Sequence, residues 1–371
     1  MAWGDPGVTM RRTLASATSN WIAGGQPQPI DISRVGILRR LRMLTNAAVT
    51  ITPGTGTIAN DVNGPWNLYT QLQLVPNQGA PISRLSGYGA YIVDILKKRE
   101  GSSATIDTRL VSETSAETAA DRYSYPTASG TIQLPIELYV SQFIRSLGSE
   151  IGLWPLENPT ISLQLMYTPN SATAATPFSL TSTTAGTSPY LVTGNATATA
   201  VTPAVTLMRE LYEVPQNPSD DPPYTYVVRW LEQVPQIGGA SATFTEWKAT
   251  PLSGALLRVA CQIFDGTAGV AVSKLTASNS LNVLFGADTS KLAETGAAAL
   301  ERQQDFWGFD LPQGVYAWDF LGQDLTLADT IDLYQVPEVR FDINTSSALS
   351  STATVKFWQQ LVTPVVLQAR G

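Results

Sequence analysis

Apolar and polar positions alternate with a period of two along much of this chain. The pattern is cleanest in Asn67–Leu74, where Leu68, Thr70, Leu72 and Leu74 fall on one face. It recurs in Gly130–Val140 at Ile132, Leu134, Ile136 and Leu138. A period of two is that of a strand with one buried face. The same reading predicts strands at Val35–Leu44 running on through Val49–Thr52, at Tyr88–Leu96 and at Pro159–Tyr167. Ile37, Leu38, Leu41 and Leu44 also fit helical spacing, but the β-branched continuation Val49-Thr50-Ile51-Thr52 favours a strand. Pro53-Gly54-Thr55-Gly56, Pro76-Asn77-Gln78-Gly79 and Ser86-Gly87 punctuate these runs as turns. A short helix is expected around Gln142–Leu147. Residues 170–204, rich in Thr, Ala and Ser, read as a surface excursion with one hairpin, and Ala204–Val214 returns to close the first half.

The second half repeats the habit. Strands are predicted at Tyr226–Leu231, Ala242–Lys248, Ala255–Phe264, Val270–Val272, Ser280–Phe285, Val315–Phe320, Thr330–Val336, Val339–Ile343 and Ala353–Val362. One helix stands out, with Ser290 as its N-cap and Lys291 to Asp305 as its body. Between the halves lies Val214-Pro215-Gln216-Asn217-Pro218-Ser219-Asp220-Asp221-Pro222-Pro223-Tyr224. Its prolines lack the N–H a sheet ladder needs and clash with a helix interior, so it reads as a stiff, exposed connector. The predicted division is an N-terminal arm over 1–26, a first domain over 27–213, a linker over 214–224 and a second domain over 225–371. Many short strands with regular turns indicate an all-β chain of sandwiches. Two tandem eight-stranded jelly rolls with short helices in their loops fit this pattern; paired immunoglobulin-like domains or a carbohydrate-binding tandem fit it equally.

Composition narrows the function classes. At 371 residues the chain is long enough for two cores, and 43% hydrophobic content supplies them. Only 14% of residues are charged, well under the roughly 25% of an ordinary soluble domain, as in a protein whose flanks are covered by copies of itself. The net charge of -7 argues against broad contact with nucleic-acid phosphates. Histidine is absent, which removes Ser-His-Asp and Cys-His catalysis and His-ligated zinc together. Cys261 is the single cysteine and reads as a buried strand residue made in a reducing compartment. No apolar window is long enough to span a membrane, and Arg11-Arg12 is not followed by a secretory h-region.

The candidate chemistry is sparse. Residues 1–26 read either as a loosely ordered arm or as a short amphipathic, membrane-proximal segment, with Arg11 and Arg12 meeting anionic headgroups and Trp21 at the interface. Arg39, Arg40 and Arg42 read as a solvated strand face. Asp319, Asp324, Asp329 and Asp332 match no calcium-loop spacing and read as a solvated edge. Asp265-Gly266 marks a hairpin turn. Asn195-Ala196-Thr197 and Asn344-Thr345-Ser346 match the glycan acceptor pattern by chance. No nucleotide-binding glycine motif joins a strand to a helix, and neither cofactor nor metal is expected.

Four stretches resemble the double jelly-roll major capsid proteins of tailless, membrane-containing icosahedral bacteriophages, the tectivirus type, whose architecture adenovirus hexon shares. Val35-Gly36-Ile37-Leu38 through Ala47-Ala48-Val49-Thr50 is similar to the family's opening strand. Gly64-Pro65-Trp66-Asn67-Leu68 with Ser86-Gly87-Tyr88 is similar to its next strands and their turn. Ile263-Phe264-Asp265-Gly266 resembles an apolar strand entering an Asp-bearing turn. Phe309-Asp310-Leu311-Pro312-Gln313-Gly314-Val315-Tyr316 resembles the Asp-x-Pro-x-Gly-Val-Tyr run of the second roll. The set occurs in order over roughly 30–365, while 170–204 has no counterpart and the arm is shorter than the family's helical one.

The resemblance implies no catalytic residues and a structural role. That role is a major capsid subunit, made in the host cytoplasm, that trimerises into pseudo-hexagonal capsomers and tiles an icosahedral virion over an internal membrane. Implied partners are the chain itself, neighbouring capsomers, penton and minor capsid proteins, and the internal membrane near the N-terminus, with no direct nucleic acid. The alternative is a tandem β-sandwich binding protein, a viral spike or a receptor- or carbohydrate-binding module. A β-sandwich hydrolase would need a spaced carboxylate pair, and none stands out.

Overall fold

The computed structural model describes residues 11–22, 25–61, 63–97, 128–170, 178–183, 188–215, 221–222, 224–235, 244–248, 254–265, 274–285, 289–308, 311–312, 314–321, 330–336, 338–350 and 353–365. They form two compact units. The first comprises 1–94, 117–230 and 364–371; the second comprises 95–116 and 231–363. The units thus exchange segments, and the division by compactness falls between Trp230 and Leu231. Within the predicted linker, Tyr224 is buried with Ile37, Leu153 and Tyr212 of the first unit, and Val214 packs on the same cluster.

The first unit is a sandwich of two antiparallel sheets. Its strands are β1 (Arg11–Asn20), β2 (Gln28–Ile32), β3 (Ile37–Thr52), β4 (Ile58–Asn60), β5 (Tyr69–Pro76), β6 (Ser83–Leu85), β7 (Gly130–Tyr139), β8 (Gln142–Ile144), β9 (Ser149–Ile151), β10 (Trp154–Pro155), β11 (Leu163–Pro169), β12 (Phe178–Ser179), β13 (Thr181–Ser182), β14 (Tyr190–Val192) and β15 (Thr197–Tyr212). One sheet runs β1-β15-β3, with β7 and β10 also on β3 and β12 on β15. The other runs β2-β11-β5-β6 and continues to β16 (Tyr226–Gln233). Leu41, Met43, Thr45, Ala47 and Val49 of β3 face inward and are buried, while Arg42, Ala48 and Thr50 face out. Between the sheets Trp21 meets Tyr69 and Phe178 edge-on, at 5.7 and 5.5 Å between ring centroids.

Three predicted elements of this unit differ. Tyr88–Leu96 is not a strand; it belongs to helix α1, Gly87–Lys97, which is buried on every side. An apolar run covered all round carries no period, so its length and composition do not separate helix from strand. Ser86 decides it locally, its Oγ accepting a hydrogen bond from Gly89 N at 3.0 Å, as does the absence of a side chain at Gly87, where a Cβ would lie 2.1 Å from Trp66 O. Gln142–Leu147 is strand β8 followed by a 3₁₀ turn over Arg145–Leu147. The 170–204 stretch contributes three short strands and then enters β15, a 16-residue strand pairing with both β1 and β3. The part of β15 inside that stretch buries Ala198 and Ala200, too small to stand out as an apolar stripe, before Val205 and Leu207 continue the buried row.

The second unit is also a two-sheet sandwich. Its strands are β17 (Phe244–Lys248), β18 (Ala255–Phe264), β19 (Leu281–Phe285), β20 (Thr289–Glu294), β21 (Val315–Asp319), β22 (Ile331–Asp332), β23 (Val339–Asn344) and β24 (Thr354–Pro364). One sheet is β17-β23-β19-β20, and the other places β24 and β21 on either side of β18, with β22 beyond. Trp247, Trp318, Phe341 and Phe357 centre the core, Trp247 stacking on Phe357 at 4.4 Å. Val270–Val272 lies outside the described residues. The predicted helix start is displaced: Thr289–Glu294 is strand β20, paired with β19, and helix α2 spans Gly296–Trp307. Its N-cap is Thr295, whose Oγ1 accepts from Ala298 N at 3.1 Å, and Gly308 in the left-handed region (φ 74) ends it.

Candidate functional site

Among the described residues, a linked group of charged side chains lies on the first unit's β15-β3-β7 sheet. Leu38 pairs with Leu211 and Arg40 with Glu210, so Arg39 is an extra residue on β3, a β-bulge. A bulge breaks the strict alternation of a strand. It lets Arg39 and Arg40, neighbours in sequence, reach the same carboxylate. Arg39 Nη1 donates to Glu210 Oε1 at 2.7 Å and its Nε to Glu150 Oε1 at 2.7 Å. Arg40 Nε donates to Glu210 Oε2 at 2.9 Å, and its Nη2 pairs there as well. Arg40 Nε also lies 3.5 Å from Glu137 Oε2, and Arg42 Nε donates to Glu137 Oε1. The result is an alternating ladder, Glu150–Arg39–Glu210–Arg40–Glu137–Arg42.

Aromatic hydroxyls close the ladder. Tyr212 Oη donates to Glu150 Oε2 at 3.1 Å, and Tyr139, its ring 5.5 Å from the Arg40 guanidinium, donates to Asp94 Oδ1 at 2.8 Å. Burial opposes the charge on Arg39 and Arg40, but Glu150 and Tyr212 beside the first and Glu137 and Tyr139 beside the second hold both pKa values above the ordinary one. Burial, with Asp94 next to it, pushes the Tyr139 hydroxyl up. The arginines are therefore not the solvated face expected of them: Glu137, Glu150 and Glu210 are each under 10% exposed beneath them. Formal charges within the ladder cancel, leaving neither a basic patch for phosphates nor an activated nucleophile.

The predicted arm residues are placed differently from one another. Arg11 and Arg12 open β1, with their backbones opposite Tyr212 and Leu211; their side chains lie outside the description. The described part of the segment, Arg11–Asn20, is a strand. Trp21 is not presented at a surface: it is 5% exposed, packed against Tyr69 and Phe178.

The other candidates resolve into structural contacts. Asp319 is buried against Arg258, and Asp332 Oδ1 accepts Tyr334 N at 2.9 Å within a turn, while Asp324 and Asp329 lie outside the described residues. Asp265, read as a turn residue, is a clasp: its carboxylate holds Lys274 Nζ and Ser350 N. Asn195 Oδ1 accepts from Thr55 N and Oγ1 at 2.7 and 2.9 Å, pinning one loop to another. Asn344 Nδ2 donates to Asn279 O at 2.7 Å. Burial pushes the Cys261 thiol pKa far up. Among the described residues no group of three or more His, Cys, Asp or Glu side chains could hold a metal, and no helix is long and apolar enough to cross a membrane. Sequence reasoning missed the Arg–Glu ladder because its partners are over 90 residues apart.

No protein-family model and no curated protein sequence matches the chain. Solved structures match it along nearly its whole length. The crystal structure of the major capsid protein of Sulfolobus turreted icosahedral virus shares 15% identity at a TM-score of 0.63, covering 96% of this chain and 97% of that one. VP54 of PBCV-1, fitted into a reconstruction of the virophage Sputnik, shares 9% at 0.61, covering 98% and 97%. The major capsid protein P2 of bacteriophage PM2 shares 9% at 0.51, covering 97% and 100%. The fold of this chain is a double jelly roll.

Proposed function

We propose that this chain is a structural subunit of an icosahedral virion shell, and that its activity is self-assembly without a chemical step. The observation that carries this reading is full-length agreement with double jelly rolls that are major capsid proteins, over both units at once. The composition supports it: a chain with 14% charged residues suits flanks that close against copies of itself. Three chains with two upright rolls each would give a capsomer of hexagonal outline that tiles a facet, meeting penton and minor capsid proteins at its borders. Arg11 and Arg12 at the start of β1 would lie toward an internal membrane, while Trp21, already packed inside, takes no part.

Light scattering of the purified chain at micromolar concentration, combined with negative-stain imaging, tests the proposal. Trimers with a three-lobed, hexagonal outline are expected. A monodisperse monomer, with specific capture on a glycan array and no assembly, would instead establish a tandem binding module.

A further inference from the structure

The first unit encloses a small cavity between its sheets, with about 20 Å³ open to the centre of a water-sized sphere. Leu41, Leu85 and Val93 form part of its mostly apolar wall, and Gln73, Ser83, Tyr139 and Trp230 are among its lining residues. A cavity needs roughly 10–15 Å³ by this measure to hold one water. The space therefore suits a single water and is far too small for an acyl chain or a sugar. Size alone does not decide between a water and an empty apolar void, because voids lined by Leu and Val stay dry.

Trp230 decides it. The residue is 1% exposed, and its indole Nε1–H is buried without a hydrogen-bond partner. Buried donors in folded proteins are paired almost without exception, since an unpaired one has lost its water and gained nothing. Ser83 lines the same cavity, and Trp230 N donates to its Oγ at 3.2 Å, so the hydroxyl accepts that bond and keeps its own proton to give. Room for one water thus lies beside two residues, one with an unpartnered buried donor and one with a hydroxyl proton to spare.

We propose that this cavity is a structural water site, in which one water accepts from Trp230 Nε1–H and hydrogen-bonds with the Ser83 hydroxyl. The water would bridge neighbouring strands β6 and β16 at Trp230, where the 117–230 segment of the first unit ends, adding a cross-strand link that the two side chains do not make directly.

High-resolution crystal structures of the full chain, native and xenon-pressurised, and of Trp230→Phe test the site. The native crystal is expected to show one ordered water within hydrogen-bond distance of Nε1, no xenon should enter, and Trp230→Phe should lose the water. Xenon in the cavity, or a native cavity with no density, overturns the proposal. A water that stays in place in Trp230→Phe overturns the indole as its anchor.

Discussion

Removing one side of the Arg258–Asp319 pair is expected to destabilise the second unit by about 3–5 kcal/mol, the cost of stranding a buried charge. Both side chains are 2% exposed, and Arg258 Nε lies 2.8 Å from Asp319 Oδ2. The remaining bonds are also made: Arg258 Nη1 donates to Gln360 Oε1 at 3.0 Å, and Asp319 Oδ1 accepts Leu321 N at 2.9 Å. At an effective dielectric of about 20, the attraction of two unit charges some 4 Å apart is about 4 kcal/mol. Desolvation costs several kcal/mol per ion, so the intact pair contributes little net stability. The asymmetry is what can be measured. Asp319→Leu takes the carboxylate partner from the buried Arg258; Arg258→Met takes the guanidinium partner from Asp319, whose Oδ1 still accepts the Leu321 amide. The double variant removes both charges and should recover most of the loss. Urea denaturation, followed by the tryptophans of the second unit, gives the four corners of the cycle. Single losses under about 1 kcal/mol, or a double variant equal to the sum of the singles, would refute the reasoning.

Three further outcomes are expected. Glu210→Gln removes the charge that Arg39 and Arg40 share and turns one of its two acceptor oxygens into a donor, and should lower the stability of the first unit by roughly 2–3 kcal/mol, read by chemical denaturation. At Gly56 a Cβ would lie 1.7 Å from Thr193 O, so Gly56→Ala should cost about 3 kcal/mol, whereas Gly148→Ala, at φ +59 with nothing within 4 Å, should cost only about 1–2 kcal/mol; the melting shifts of the two variants should rank in that order. Burial works against ionisation of Asp265, but Lys274 Nζ and Ser350 N outweigh it and hold the carboxyl below its ordinary value of 3.8. A depressed carboxyl stabilises the fold above its unfolded pKa and loses that contribution as pH falls through the folded value. Unfolding curves of the native chain and Asp265→Asn should therefore differ at neutral pH and converge in acid below 3.8; a constant gap would contradict the clasp.

Much of the architecture was legible in the order of residues. Strands with one wet face announced themselves through alternation, as at Leu72 and Leu74 of β5 and at Ile132, Leu134 and Ile136 of β7, because water on one side imposes a contrast the sequence must carry; Leu68, in a turn, and the exposed Thr70 fall outside it. The absence of histidine removed His-dependent catalysis and His-ligated zinc without any coordinates, and the net charge of -7 argued against broad contact with nucleic-acid phosphates. The ordered short stretches from Val35 to Tyr316 pointed to a double jelly roll, and the fold agrees. Where contrast fails, the reading fails. Helix α1 is covered on all sides, β15 buries only the small side chains of Ala198 and Ala200 at its start, and Ser290 looks as good a cap as Thr295, which hides β20 in the following helix.

What tertiary structure alone decided concerns pairings across long sequence separations. The three arginines of β3 look like a solvated face until Glu137, Glu150 and Glu210 arrive from distant strands and a bulge turns Arg39 toward them. Trp21 looks like a surface anchor until β1 joins β15 and carries it between the sheets. A chain's own order sets which residues are apolar and how they alternate, a local property of neighbours a few positions apart. Which charge meets which, and which orphaned donor lies beside a cavity, depends on loop closures far along the chain, and no local pattern records them.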